Sequence, residues 1–216
     1  MIKGILFDLD GVIVDTLHYH YLAWKHMFGL RGGDVSEHTI LLHEGRNSRE
    51  ILPLLIEETG VAIPIEAHEE FIDTKRKYFR SIVQVGYYPH VFSVIDELRG
   101  RGFQIALVTA SALKNMEHAL NDDHRSRFDF IITGDEVPRA KPFPDPYLTA
   151  AHHLGLHPEE CIVVENAPLG IESAKNAGMY CIAIETTLGK EYLTQADLIV
   201  HEILDLLEVE ALKSST

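Results

Sequence analysis

The chain has 216 residues, of which 46% are hydrophobic and 24% charged, and 19 basic against 33 acidic side chains give a formal net charge of −14. The length suggests one domain, or one domain carrying an insertion, and the composition excludes disorder for most of the chain. The negative charge argues against nucleic acid or an anionic membrane as a partner, but it permits an anionic small substrate at a locally positive site.

The expected setting of the protein is a reducing cytoplasm. No apolar run is long enough to cross a bilayer, and the first residues lead directly into a strand pattern, so no signal peptide is expected. Cys161 and Cys181 are the two cysteines, and both lie within apolar, strand-like runs. We predict that they are buried free thiols. The oligomeric state stays open, and a monomer is compatible with the sequence.

Short apolar runs alternate with helical patterns along most of the chain. Nearly continuous apolar runs of this length are typical of strands buried on both faces, and they occupy 2–7, 103–108, 128–132, 161–164, 180–184 and 198–200. Amphipathic helices are predicted at 91–98, 145–154 and 168–177, each followed by a glycine. The alternation predicts an α/β fold with a Rossmann-like parallel sheet and right-handed crossovers.

The segment from Thr16 to Val83 contains no convincing strand. Helices are predicted at 18–28, 48–58 and 66–82, although Pro53 indicates a kink or a later start in the second of them. We therefore predict a core domain formed by 1–15 and 84–216, with 16–83 as an inserted, all-helical cap domain over the ligand-binding edge of the sheet. The last four residues, 213–216, are expected to fray.

The first strand ends in the sequence Phe-Asp-Leu-Asp-Gly, which brings two carboxylates close together. Asp8 follows the buried run, Asp10 comes two residues later, and Gly11 allows a sharp turn. Two carboxylates this close repel each other unless they share a cation or a proton. A capping Asp and a turn Asp would be the purely structural interpretation, and the other strand ends argue against it.

Three later strand ends also carry polar groups. Thr109 and Ser111 follow the second core strand, Lys141 lies in a proline-stiffened loop, and Glu165 and Asn166 follow another buried strand. Each motif alone is weak evidence, since helix caps and surface lysines are common. Parallel strands point the same way, however, so all these groups are expected at one edge of the sheet.

The combined set indicates phosphate chemistry with a metal ion. Oxygen ligands without His or Cys favour Mg²⁺, which keeps several waters and binds substrate phosphate. A lysine, a hydroxyl and backbone N–H groups are suited to a phosphoryl group. The oxygen ligands would come from Asp8, Asp10, Glu165 and Asn166, and the phosphate partners would be Lys141 and Thr109.

The four motifs DLDGVIVDT, VTAS, AKP and ENAPLGIESAKNAG, in this order, resemble those of the haloacid dehalogenase superfamily. The match spans almost the whole chain, and the insertion resembles the type 1 cap of the phosphatase and β-phosphoglucomutase-like branch. The resemblance implies that Asp8 is the nucleophile that forms an aspartyl phosphate, and that Asp10 acts as general acid and then as base. Thr109, Ala110, Ser111 and Lys141 would bind the transferring phosphoryl group.

The same resemblance implies a Mg²⁺ site formed by Asp8, the Asp10 backbone carbonyl and the fourth-motif residues. The family often has two acids in that motif, whereas this chain has Glu165 followed by the uncharged Asn166. Which of these two residues ligates the metal directly stays open. The family also often has Gly where this chain has His90, and the sequence offers no reason for the histidine.

Three insertion residues resemble substrate-binding positions of β-phosphoglucomutase-like caps. These are His20, Arg49 in the Gly-Arg-Asn-Ser-Arg loop, and Lys75, whose register against Arg76 and Lys77 is ambiguous. A surface helix position for His20, a solvated charge for Arg49 and a surface lysine at position 75 are the structural alternatives.

Three functions are consistent with these motifs. The first is a Mg²⁺-dependent phosphatase acting on a small phosphorylated metabolite, such as a sugar phosphate. The second is a β-phosphoglucomutase-type phosphomutase, and the third is a non-enzymatic, ligand-binding member. The spacing after Thr109 resembles sugar-phosphate phosphatases and favours the first, whereas His20 and Arg49 favour the second. The complete set of Asp8, Asp10, Thr109 and Lys141 argues against the third. Substrate identity and turnover stay open.

Overall fold

The computed structural model describes residues 1–214, so the expected fraying at positions 215 and 216 lies outside the described residues. Its strands are β1 Gly4–Phe7, β2 Val14–Asp15, β3 Gly86–Tyr87, β4 Gln104–Val108, β5 Phe130–Ile132, β6 Cys161–Glu165, β7 Tyr180–Ile184 and β8 Leu198–Val200. Six of them form one sheet in the order β5-β4-β1-β6-β7-β8, with every neighbouring pair parallel. The predicted Rossmann-like sheet and all six of its strands are confirmed.

The strand order places β1 at the centre of the sheet, where the connections change direction. Phe7 pairs with Leu107 on one side and with Val164 on the other. The residues that follow these positions therefore emerge side by side at the carboxyl edge. In open α/β sheets this change of direction opens a crevice in which ligands bind.

The helices are α1 Leu17–Gly29, α2 Glu37–Leu42, α3 Ser48–Thr59, α4 His68–Ile82, α5 Val91–Gly100, α6 Leu113–Ala119, α7 Asp122–Arg125, α8 Asp145–His153 and α9 Pro168–Asn176. The sequence did not predict α2, α6 or α7, which are short. Helix α3 begins at Ser48, after the N-cap Asn47, and continues through Pro53, so a later start for this helix is wrong.

Apolar side chains form three separate clusters. Two lie on the opposite faces of the sheet, and the strand residues alternate between them; Phe7 and Ile105 belong to one face, Leu6 and Ala106 to the other. The third cluster lies within the helical segment, around Phe28. Because the helical segment buries apolar side chains of its own, it is suited to be a separate domain. The division into a cap domain at 16–83 and a core domain at 1–15 and 84–216 stays a prediction.

Both chain connections between the helical segment and the sheet pass through a short antiparallel ladder. Val14 pairs with Tyr87 and Asp15 with Gly86, so the outgoing and returning strands are tied together. The predicted insertion has helices and turns but no strand between positions 16 and 83, as expected. Among residues 1–214, no helix combines the length and the apolar character needed to cross a bilayer.

The structure gives a reason for the residue at position 90. His90 precedes α5 in a left-handed conformation, with φ +66°, and it is the only non-glycine residue with positive φ among residues 1–214. Glycine adopts this conformation without strain, and His is among the residues that tolerate it. Its carbonyl oxygen accepts hydrogen bonds from the Val94 N–H and the Ser93 hydroxyl, which secures the first turn of α5.

Candidate active site

The carboxylate of Asp8 lies at the end of β1 beside a buried lysine. Lys141 Nζ lies 2.6 Å from Asp8 Oδ1 and 2.6 Å from Glu165 Oε1, and all three side chains are buried. Burial raises the pKa of Asp8 to about 8, because the nearby Glu165 and Asp10 add to the desolvation and Lys141 offsets only part of it. The site thus holds more negative charge than one lysine compensates.

Glu165 has no oxygen left for a further ligand. Its Oε1 accepts hydrogen bonds from Lys141 and from the Tyr147 hydroxyl at 2.8 Å. Its Oε2 accepts the backbone N–H groups of Asn166 and Ala167, at 2.9 and 3.1 Å. A carboxylate that accepts four hydrogen bonds is fixed in orientation and saturated. This geometry favours Glu165 as the counter-ion of Lys141, and it leaves Asn166 as the fourth-motif residue with a free oxygen.

Two hydroxyl donors from different parts of the chain hold Asp10, and the His20 ring lies close to it. Asp10 Oδ1 accepts a hydrogen bond from the Thr16 hydroxyl, and Oδ2 accepts one from the Ser111 hydroxyl at 2.8 Å. His20 Nε2 lies 3.4 Å from Oδ1. Burial alone would raise the pKa of Asp10, but His20 and the two hydroxyls outweigh it and lower the pKa to about 2. Asp10 is therefore ionised in this arrangement.

His20 and Lys75 both lie inside the site. The alternative interpretations, a surface position for His20 and a surface lysine at position 75, are therefore wrong. Lys75 Nζ lies 2.9 Å from His20 Nδ1, and the His20 ring stacks on Phe79 with ring centroids 4.0 Å apart. Lys75 is 2% exposed, which settles the register against Arg76 and Lys77. Burial lowers the pKa of Lys75 to about 7, so it loses its charge near neutrality.

A cavity of about 620 Å³, including its open mouth, lies between the carboxyl edge of the sheet and the helical segment. This size suits a small metabolite. Seven predicted site residues line it, namely Asp8, Asp10, His20, Lys75, Thr109, Ala110 and Ser111. Lys141, Glu165 and Asn166 lie beneath this surface. The Thr109 hydroxyl accepts the Ser111 N–H at 3.0 Å, which holds the second-motif turn in place.

Arg49 does not reach the cavity, contrary to its expected role in binding substrate. It occupies the second position of α3, with a side chain that is 57% exposed, and its guanidinium pairs with Glu69 on α4 at 2.7 and 3.0 Å. Arg46 lines the cavity instead, and its Nε is buried without a hydrogen-bond partner among residues 1–214. The arginine that the helical segment contributes is therefore three residues away from the predicted one.

The cavity is also lined by polar residues that were not predicted individually as site residues, in the loop after α2, at the first position of α3 and near the start of α6. These are His43, Glu44, Arg46, Ser48 and Asn115. The loop reaches the site because Gly45, at φ +97°, packs against Lys141; a Cβ at this position would lie 3.3 Å from Lys141 Cβ. The resemblance of the Gly-Arg-Asn-Ser-Arg sequence to a substrate loop indicated this segment in advance, but it singled out Arg49 and not Arg46.

Polar contacts hold the helical segment against the core. Arg80 Nη1 donates to Asn115 Oδ1 at 2.7 Å, and Arg76 Nη2 lies 3.2 Å from Asp135 Oδ1. Glu50 accepts the Ala140 N–H at 3.2 Å. These contacts come from two helices of the segment, α3 and α4, so the segment is held over the sheet edge in this conformation.

The donor set next to Asp8 fits a hard cation. Asn166 is fully buried, and its Oδ1 has no hydrogen-bond partner among residues 1–214. Asp8 and the Asp10 carbonyl would supply further oxygens. No three His, Cys, Asp or Glu side chains within the described part of the chain form a ready ligand cluster. A cation here would rely on mixed carboxylate, amide and carbonyl oxygens with water, which is the coordination that Mg²⁺ accepts.

Comparison with known proteins agrees with this architecture. Hexitol phosphatase A of Escherichia coli (strain K12) is 29% identical over 204 residues, which cover 93% of this chain and 91% of that protein. Beta-phosphoglucomutase of Bacillus subtilis (strain 168) is 30% identical over 213 residues, covering 94% and 91%. The crystal structure of beta-phosphoglucomutase from Clostridium difficile superposes with a TM-score of 0.85 at 27% identity, covering 99% of this chain and 98% of that one.

The chain also matches the sequence model of a whole protein family. The model described as haloacid dehalogenase-like hydrolase covers residues 5–184, which include β1 with its two aspartates, the cavity loops and β6 with the fourth motif. The sheet order and the insertion after the first strand agree with this match. The chain therefore belongs to the family of haloacid dehalogenase-like hydrolases.

Proposed function

We propose that the protein is a Mg²⁺-dependent phosphatase that hydrolyses a small phosphate ester, with sugar phosphates as the substrate class. The observation that carries the proposal is the buried Asp8 carboxylate, which lines a cavity of metabolite size while Lys141 holds one of its oxygens at 2.6 Å. A binding module has no need of a buried nucleophile that is positioned in this way. The relatives named hexitol phosphatase and beta-phosphoglucomutase support sugar phosphates as the substrate class.

The first half of the reaction transfers the phosphoryl group to the protein. An Asp8 oxygen attacks phosphorus, the bond between phosphorus and the ester oxygen breaks, and the leaving oxygen takes a proton from Asp10. Lys141, between Asp8 and Glu165, fixes the attacking carboxylate in place. When bound, Mg²⁺ would supply positive charge beside Asp8 and the phosphoryl oxygens, and Asp8, the Asp10 carbonyl and Asn166 would hold it.

The second half returns Asp8 to its starting state. Asp10 removes a proton from water, the water oxygen attacks phosphorus, and the bond between Asp8 and phosphorus breaks to release inorganic phosphate. The lowered pKa of Asp10 favours its carboxylate form, which is the form that this step needs. To serve as the acid of the first half it must be protonated, which requires weaker contacts to Thr16, Ser111 and His20.

Replacing Asp10 with Asn is expected to reduce kcat by about 10²–10⁴-fold, because an amide neither donates nor accepts the transferred proton. Steady-state phosphate release from the best substrate of a phosphate-ester panel measures this. Asp15→Asn is the matched control, since Asp15 is exposed and lies in the same motif. Near-native kcat in Asp10→Asn would remove Asp10 from the mechanism.

The phosphomutase alternative uses the same nucleophile, so the acceptor decides between the two activities. A mutase has to exclude water and bind a second phosphate, which requires cations far from Asp8. Arg49, which favoured this alternative in the sequence, is outside the cavity and paired with Glu69. Arg46 is the remaining arginine in the lining, and the acid Glu44 lies near it. His20, which also favoured the mutase, does line the cavity together with Lys75, so it is the absence of Arg49 and the presence of Glu44 that support hydrolysis.

We expect free phosphate to form faster than glucose 6-phosphate when the enzyme receives β-glucose 1-phosphate, a trace of the 1,6-bisphosphate and Mg²⁺. Both products are measured in the same samples, and a panel of other sugar and polyol phosphates is run with and without Mg²⁺. Faster formation of glucose 6-phosphate would establish the mutase instead. No turnover of any ester, with native Asp8 present, would favour the ligand-binding alternative.

A further inference from the structure

One acid of the helical segment reaches the fourth motif. Glu44 lies in the loop after α2. Its carboxylate oxygens Oε1 and Oε2 accept hydrogen bonds from Asn166 Nδ2 at 3.3 Å and 3.2 Å. Asn166 Nδ2 also donates to the Thr187 hydroxyl at 3.1 Å. Glu44 thus brings a carboxylate to Asn166, the fourth-motif residue at which the family often has an acid.

The carboxylate of Glu44 lacks a positive partner. Among residues 1–214, no Lys, Arg or His forms an ion pair with it, and the Asn166 amide is its hydrogen-bond donor. Glu44 is half-buried in the cavity wall, and charges that are withdrawn from water in proteins are paired with an opposite charge or coordinate a metal. The surroundings of Glu44 therefore call for a cation.

Asn166 indicates where that cation would lie. Its Oδ1 is buried and without a partner, while its Nδ2 faces Glu44. A rotation of the amide by half a turn would exchange the two atoms, so that an amide oxygen and the Glu44 carboxylate face each other across the same space. Two oxygens in this arrangement repel each other unless a cation lies between them.

We infer that Glu44 is a ligand of the Mg²⁺ ion, and that it supplies from the helical segment the negative charge that Asn166 does not provide. The inference rests on the proposed function, because it concerns the same metal. With Asp8 and Glu44 the site has two carboxylates, which is the number typical of Mg²⁺ sites that also bind substrate phosphate. Metal binding and closure of the helical segment would then favour each other, since Glu44 reaches the site from that segment.

The test is Mg²⁺ binding by calorimetry on the full-length protein without substrate, with Mn²⁺ binding by electron paramagnetic resonance as a second readout. We expect Glu44→Gln to weaken Mg²⁺ binding by at least about tenfold, since even indirect partners of a metal site are worth about 10–100-fold. Glu57→Gln removes the same charge from an exposed position on α3 and should bind as the native protein does. Adding Asn166→Asp to Glu44→Gln restores the number of carboxylates and should recover most of the lost affinity.

The outcomes separate this inference from the proposed function. Native affinity in Glu44→Gln, or no recovery in the double variant, would overturn the role of Glu44 and leave the phosphatase proposal intact. No Mg²⁺ binding by the native protein would overturn both the role of Glu44 and the metal dependence. Binding that depends on Glu44 in a protein that hydrolyses no phosphate ester would support the inference and contradict the proposed function.

Discussion

Asp8→Asn is expected to reduce phosphate release to the background rate. The amide has no nucleophilic oxygen that can attack phosphorus, so the covalent step cannot occur. The variant should still fold, because Asn has nearly the same shape and Lys141 keeps its partner Glu165 at 2.6 Å. Phosphate release at saturating substrate and Mg²⁺ measures the effect, with the unfolding temperature as the check on folding.

Substrate binding separates a catalytic loss from a damaged site in this variant. Calorimetry with the best substrate should show binding to Asp8→Asn, since the cavity walls formed by the second-motif turn and the helical segment are unchanged. Asp15→Asn, in the same motif but exposed, should turn over at the native rate. Near-native turnover in Asp8→Asn would show that another group is the nucleophile.

The second large effect is expected for Lys141→Met, which keeps an unbranched side chain one atom shorter and removes the charge. Lys141 is 1% exposed and is the lysine that pairs with both Asp8 and Glu165. Without it two buried carboxylates face each other, and breaking such a buried pair costs about 3–5 kcal/mol. At about 2–4 °C per kcal/mol for a chain of this size, the unfolding temperature should fall by roughly 6–20 °C. Turnover should also be lost, since Asp8 is no longer held.

Two further variants show whether charge causes this loss of stability. Lys175→Met breaks the partly exposed pair of Lys175 with Asp197, and it should cost less than about 1 kcal/mol. Adding Glu165→Gln to Lys141→Met removes one of the facing carboxylates and should recover part of the stability. An unfolding temperature that is equal in Lys141→Met and Lys175→Met would contradict the role of Lys141 as the central counter-charge.

The sheet and the site at its edge could be predicted because both depend on local patterns. Continuous apolar runs are a strong signal for buried parallel strands, and the residues directly after such runs must meet at one edge. Asp8, Thr109 and Glu165 all follow strands in this way. The short helices α2, α6 and α7 are too brief to show a clear period, and the two-residue strands β2 and β3 are recognisable only by their partners.

The residues contributed by the helical segment depend on tertiary packing, which the sequence does not encode locally. His20 and Lys75 were predicted by resemblance and lie in the site. The sequence left open which of the three consecutive basic residues faces the site, and the burial of Lys75 identifies it. Arg49 was predicted in the same way and lies outside, because its position on α3 directs it towards Glu69 on α4. Glu44 was missed, since a loop has no periodicity and its course is set by the approach of Gly45 to Lys141.

The proposed mechanism requires a phosphoryl group on Asp8 during turnover, and chemical trapping detects it directly. Enzyme that is turning over substrate with Mg²⁺ is quenched at a series of times and treated with borohydride, which reduces an acyl phosphate to the alcohol, so that a phosphorylated aspartate becomes homoserine. Peptide mass spectrometry should find homoserine at position 8, with substrate and Mg²⁺ both required, and none in Asp8→Asn. Phosphate release with position 8 unmodified at every time point, or homoserine formed at another aspartate, would contradict the account.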